Sequence, residues 1–201
     1  MSVGTITSRF GSSPYPIWKL TVPDYHRMID AGVLDEEDRV ELLEGFLVPK
    51  MPHSPLHDGT IQRIAKILRR ILGERWDIRI QSAVTTADSE PEPDLAIVRV
   101  DESDFLDRHP DLADIGLLIE VADSTLLQDR DDKARLYARA GIVEYWIANV
   151  RDRQLEVFRR PSGPTESPSY AETLIITMAE SVELRLDGQV VATIPLAELL
   201  P

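Results

Sequence analysis

Cysteine is absent from this sequence, which excludes disulfides, thiolate metal sites and cysteine nucleophiles. No apolar run approaches the roughly 18 residues that span a bilayer. The opening MSVGTITSRFGSSPYP lacks the apolar centre of a secretory leader. The expectation is a cytoplasmic protein with no membrane partner. Neither GxxxxGK[ST] nor GxGxxG occurs, so no nucleotide cofactor is expected. Base is also in short supply: 22 Lys and Arg face 35 Asp and Glu, for a net charge of −13. Taken alone, that weighs against a general polyanion binder, because phosphate binding draws on Lys and Arg.

What is present suits a packed domain. Of 201 residues, 43% are hydrophobic, enough for a core. The charge is uneven. Residues 60–75 carry five bases (Arg63, Lys66, Arg69, Arg70, Arg75) against one acid, Glu74, whereas 101–114 is strongly acidic. Local fields therefore differ from the net figure.

Thr21 followed by Asp24 predicts a helix start and a short helix to about Ala31. RVELLEGFLVP at 39–49 predicts a hairpin turning at Glu44-Gly45. Ile61, Ile64, Leu68, Ile71 and Leu72 fall at helical spacing and predict a helix over 58–73. On another face of it stand Arg63, Lys66 and Arg70, either a phosphate-contacting patch or an ordinary solvated face. Strands are predicted near 77–84, 94–100 and 116–122, then a helix over 129–140 ended by Gly141. A strand at 143–150 pairs with 154–159 through Arg151-Asp152, and short strands follow near 172–178, 182–186 and 189–194. Residues 1–20 read as an arm, 21–160 as the core, and 161–201 as a strand extension packing on the same domain. The fold class is α/β or α+β, a mixed central sheet flanked by helices, with an added N-terminal hairpin and C-terminal strands.

Two carboxylates sit in apolar company. Asp94 opens the strand DLAIVRV, and Glu120 interrupts LLIEVADS near its end. An ionised group in an apolar site needs a partner or a metal. If the two strands are neighbours, the carboxylates meet at one sheet edge and a cation between them relieves their repulsion. Otherwise Asp94 merely starts a strand and Glu120 faces solvent. Lys133 stands on the stripe of Leu136, Tyr137 and Ala140, so it either reaches that edge or snorkels to water. Pro55 argues against a helix aligning His53 and His57, so no zinc site is expected there. Asp129, Asp131 and Asp132 lack the glycine and distal glutamate of a calcium loop and are expected to stabilise a helix N-terminus. Tyr145 and Trp146 are expected in the core.

The motif string is Glu120-Val121-x-x-Ser124-Thr125, Asp129-x-x-x-Lys133 and Tyr137-Ala138-x-x-Gly141-x-x-Glu144-Tyr145-Trp146. With it go Glu92-Pro93-Asp94, His57 ahead of a helix, and Glu41-Leu42-Leu43-Glu44-Gly45. Together these resemble the Uma family of restriction-endonuclease-like proteins, within the PD-(D/E)XK nuclease superfamily, over roughly residues 20–160. The resemblance implies a restriction-endonuclease-like core and Mg²⁺-dependent hydrolysis of DNA phosphodiester bonds, with Mn²⁺ as a substitute. It implies Asp94 and Glu120 as metal ligands with the Val121 backbone carbonyl as a third. Glu41 is implied to complete the site, and His57 and Gln81 are secondary candidates. The superfamily's usual lysine position is Ala122 here, and the resemblance moves that role to Lys133. Cutting both strands takes two active sites, so a homodimer is expected. A second reading stays open: a non-catalytic DNA- or protein-binding regulatory module on the same fold, favoured by the −13 charge and the displaced lysine.

Overall fold

The structure, a computed structural model, describes residues 17–35 and 37–201. Most of the arm expected over 1–20 lies outside the described residues. Helix α1 (Val22–Asp30) begins as its sequence predicts: Thr21 accepts from the Asp24 amide, and the Asp24 carboxylate accepts from Thr21 N–H. Strands β1 (Val40–Leu43) and β2 (Phe46–Pro49) form an antiparallel hairpin with Leu43 opposite Phe46. Its two turn residues, Glu44 and Gly45, have φ of 51° and 84°, the left-handed values that match the twist of a tight hairpin. A Cβ on Gly45 would lie 2.7 Å from Lys19 Cβ and 2.9 Å from Leu20 O, so no larger residue fits.

Helix α2 (Pro55–Ile71) starts three residues earlier than the apolar stripe implies. Pro55 does not break it. It occupies the first turn, where a missing N–H costs nothing, behind the N-cap Ser54. Strand β3 (Trp76–Ile80) stops short of the expected 84, because Gln81 turns to φ 46° and leaves the ladder. Strands β4 (Leu95–Arg99), β5 (Ile115–Ala122), β6 (Glu144–Asn149), β7 (Gln154–Pro161) and β8 (Tyr170–Thr177) follow. The central sheet runs β3-β4-β5-β6-β7-β8 and is antiparallel except for the β5–β6 pair. That parallel step requires a crossover. It is made by α3 (Leu126–Gln128), a π-helical turn (Asp129–Lys133) and α4 (Ala134–Ala140) in continuous succession. The single helix expected over 129–140 is thus longer and internally irregular.

Two cores result from the period-two alternation of strand side chains. Leu117, Ile119 and Val121 face Ile61, Ile64 and Leu68 of α2. The same layer holds a second hairpin, β9 (Ser181–Leu186) and β10 (Gln189–Pro195), and the short helix α5 (Leu196–Leu199). Leu118 and Ala122 face the opposite side, against Ala134, Leu136 and Tyr137 of α4. Tyr145 and Trp146 are buried on opposite faces, as expected. Among the described residues no helix is long and apolar enough to cross a membrane.

Candidate active site

Alternation places Glu120 with Leu118 and Ala122, on the face covered by α4. Asp94, one residue before β4, shares that face with Ala96 and Val98. Leu95 pairs with Ile119, so the two carboxylates flank one rung of the β4–β5 ladder. The π-turn contributes Asp129 and Lys133. Its wider winding has the Ala134 amide donating to the Asp129 carbonyl, five residues back. Glu41 arrives from β1. Glu41, Asp94, Glu120, Asp129 and Lys133 line a single cavity of about 330 Å³ with His53, His57, Gln81 and Glu92.

The four carboxylates are 2–7% exposed, and their hydrogen bonds share one pattern. Asp94 Oδ2 accepts from the Val121 amide at 2.8 Å and contacts His57 Nε2 at 3.1 Å. Glu120 Oε1 accepts from Lys133 Nζ at 2.7 Å and from the Tyr137 hydroxyl at 2.9 Å. Glu41 Oε2 accepts from the Glu92 amide, and Asp129 Oδ2 from the Thr125 hydroxyl. Each side chain commits one oxygen to the protein, and among the described residues its other oxygen has no hydrogen-bond partner. Among the same residues the sole fully buried side-chain nitrogen or oxygen without a partner is Arg79 Nε. The four open oxygens are therefore reached from the cavity.

Charge balance in this pocket is poor. Among its buried side chains four acids stand against Lys133 and His57, while Arg39 and Lys50 line it from more exposed positions, as do Glu92 and Asp123. Burial, together with the nearby Asp94 and Asp129 charges, pushes Glu120 up to about 8 despite Lys133 beside it. Asp129 is also raised, chiefly by burial. Burial works against the Lys133 ammonium, but Glu120, Glu41 and Asp129 outweigh it and hold the group above its ordinary range. Burial opposes ionisation of Asp94 too, yet His57, the Val121 amide and Lys133 keep it below the usual carboxylate range. His57 is raised, because Asp94 and Asp58 outweigh its burial.

Sequence reasoning missed two features. Asp129 is not a solvated helix-start acid. It is buried, four residues before Lys133, and extending the Lys133 stripe back one turn finds it. Pro55 does not separate the histidines: the His53 and His57 rings lie 4.2 Å apart. Gln81 reaches His53 Nδ1 at 3.0 Å. Arg63, Lys66 and Arg70 are exposed but do not line the cavity. Arg63 instead donates to the carbonyls of Ala197 and Glu198 at the C-terminal helix.

No curated protein matches this sequence. A crystal structure titled a "putative nuclease belonging to DUF820", from Anabaena variabilis ATCC 29413, resembles it with a TM-score of 0.68 at 14% identity. The alignment covers 90% of this chain and 97% of that one, so the two share the central mixed sheet flanked by helices. The model of the Uma2 family, described as "Putative restriction endonuclease", matches residues 22–195, well past the point near 160 where the sequence motifs fade. That span takes in all ten strands of the described residues and every carboxylate of the cavity, and the chain belongs to the Uma2 family.

Proposed function

We propose that this chain is a metal-dependent nuclease that hydrolyses phosphodiester bonds of DNA. The supporting observation is the cavity's four buried carboxylates, each with one oxygen tied to the protein and one open, around the buried Lys133. Hard oxygen donors in excess of local positive charge are the donor set that Mg²⁺ takes, with Mn²⁺ a close substitute. Asp94 and Glu120 would hold the ion, with Glu41 or Asp129 beside them. The Val121 carbonyl is the further donor: its amide points to the β4 side, and a strand residue's amide and carbonyl point the same way. A divalent cation so placed supplies charge at a phosphoryl oxygen and acidifies a water.

The protein's own groups have separable tasks. Lys133 stays protonated, so it serves as a fixed positive charge for the developing phosphoryl anion and not as a base. Tyr137 and Lys133 together fix the Glu120 rotamer. His57 orients Asp94. Lys66 and Arg70 on α2 are the proposed contacts to the DNA backbone, with Arg63 drawn partly towards the C-terminal helix. Duplex cleavage by a homodimer is part of this reading, checked by light scattering in solution.

Supercoiled and linear DNA incubated with Mg²⁺, Mn²⁺ or chelator decides the matter. The expected result is cation-dependent cleavage, reduced about 10²-fold or more in Glu120→Gln and Asp94→Asn. Cation-independent DNA binding without cleavage, equal in the variants, would favour the non-catalytic module instead.

A further inference from the structure

A second group of ligating side chains stands at the cavity mouth, on different chemistry. Pro55 at the first helical position and Ser54 as N-cap set the start of α2. That places His57 and Asp58 near its first turn and His53 just ahead of the cap. Asp58 Oδ1 is 3.5 Å from His53 Nδ1 and 3.3 Å from His57 Nδ1. The His57 contact is a long hydrogen bond, and the His53 contact is longer still. They match the edge of a tetrahedron whose corners lie about 2.0–2.1 Å from its centre, an edge of about 3.3–3.4 Å. The three ligand atoms all lie within 4.8 Å of one another.

An independent observation concerns the tautomer of His57. Its Nε2 contacts Asp94 Oδ2, an oxygen already accepting from the Val121 amide, so Nε2 carries the proton. Its Nδ1 faces Asp58 Oδ1 at 3.3 Å, where it holds a proton in the imidazolium that Asp94 and Asp58 favour and a lone pair in the neutral ring. Two acceptors face to face repel unless a proton or a cation sits between them. A carboxylate holding one ring nitrogen while the other points at a ligand cluster is the arrangement that orients zinc-binding histidines. Gln81 stands 3.0 Å from His53 Nδ1, and its amide offers an oxygen in the flipped orientation. The positive end of the α2 dipole works against a cation here. Asp58, and Asp123 bound to the Ser54 hydroxyl, offset it.

We propose that His53, His57 and Asp58 form a transition-metal site of the zinc class at the mouth of the cavity. Imidazole nitrogens select Zn²⁺, Co²⁺ and Ni²⁺, whereas the carboxylate cluster selects Mg²⁺ and Mn²⁺. The two sites meet through His57, whose far nitrogen holds Asp94. An ion on His53 and His57 therefore fixes Asp94 as well.

Zn²⁺ and Co²⁺ titrated separately into the metal-free full chain test this. The wild type is expected to take one equivalent of Zn²⁺, and Co²⁺ to show visible absorption of tetrahedral intensity. His53→Ala, at an exposed position, is expected to weaken Zn²⁺ about 100-fold or more and to remove the Co²⁺ bands. It should keep the thermal shift produced by Mn²⁺. Glu120→Gln is expected to retain the Zn²⁺. Equal Zn²⁺ affinity in wild type and His53→Ala, or loss of Zn²⁺ in Glu120→Gln, would overturn the assignment. Either result leaves the nuclease reading to its own Mn²⁺ and DNA measurements.

Discussion

Lys133 and Glu120 form a buried ion pair inside a cluster with too many acids, and that asymmetry sets what each substitution does. Lys133→Met strands up to four carboxylates, so a loss of about 3–5 kcal/mol is expected from urea unfolding. Glu120→Gln removes an acid from the excess, and Lys133 keeps Glu41 and Asp129 nearby, so it is expected to cost clearly less. The reverse order would mean the charge balance is misjudged. The same excess fixes the sign of the pH dependence. Glu120, raised to about 8 from 4.5, binds its proton more tightly folded than unfolded. Its stabilisation is complete below about 4.5 and is lost as pH rises through about 8. His57, also raised, acts in the same direction. In chelator, the melting temperature is expected to fall from pH 6.5 to 9. Mn²⁺, which needs the ionised carboxylates, is expected to raise it more at the upper end. A chelated melting temperature that climbs over that range would contradict this. Much at this scale was legible beforehand. The alternation in LLIEVADS and the apolar stripe through Lys133 foretell that Glu120 and Lys133 meet, while Ala122 points to Lys133 only through the family resemblance. Asp129 was missed because acids at a helix start usually stabilise its dipole, and nothing local marks one as buried.

Each element presents one or two residues to the cavity, and the irregular ones matter most. The π-turn carries Asp129 and Lys133, and the β1–β2 hairpin carries Glu41. The hairpin is fastened to α4 at its tip: Glu44 takes both terminal nitrogens of Arg135, and Arg139 bridges Glu44 and Asp88. Glu44→Gln is expected to cost about 1–2 kcal/mol in stability, since its ion pairs are half-buried but Arg139 keeps Asp88 as a partner. It should weaken Mn²⁺ binding about tenfold in calorimetry by loosening Glu41. Unchanged affinity would show that the hairpin holds Glu41 unaided. Gly45→Ala meets both a left-handed backbone and the Lys19–Leu20 segment, and is expected to lose roughly 1–3 kcal/mol. The periodic parts of these elements could be read from sequence. The π-turn could not, since its apolar spacing is close to that of an α-helix. The early start of α2 was hidden by treating Pro55 as a breaker, although a first turn accepts it.

Across the whole molecule, the α4 face of the sheet holds the cavity while the α2 face supplies much of the apolar packing. The C-terminal hairpin and α5 belong to that second core. Val182, Leu184, Leu186, Ile194, Leu196, Leu199 and Leu200 pack with α2 and the sheet. At about 1.5–3 kcal/mol for each buried side chain, their loss is about 10–20 kcal/mol, as large as the roughly 5–15 kcal/mol of a typical domain. A chain stopped at Thr177 is expected to show no cooperative melting transition. Sequence pattern reached the strands of this extension but not their long-range packing, which no local signal encodes. The acidic net charge likewise hid a site that collects its carboxylates from four separate stretches of chain. The most direct test of that convergence is anomalous scattering at the manganese edge from crystals grown with Mn²⁺. The expected result is a peak between the carboxylates of Asp94 and Glu120, within bonding distance of both. A map with no peak there, and Glu120 still held by Lys133 and Tyr137 alone, would contradict the account.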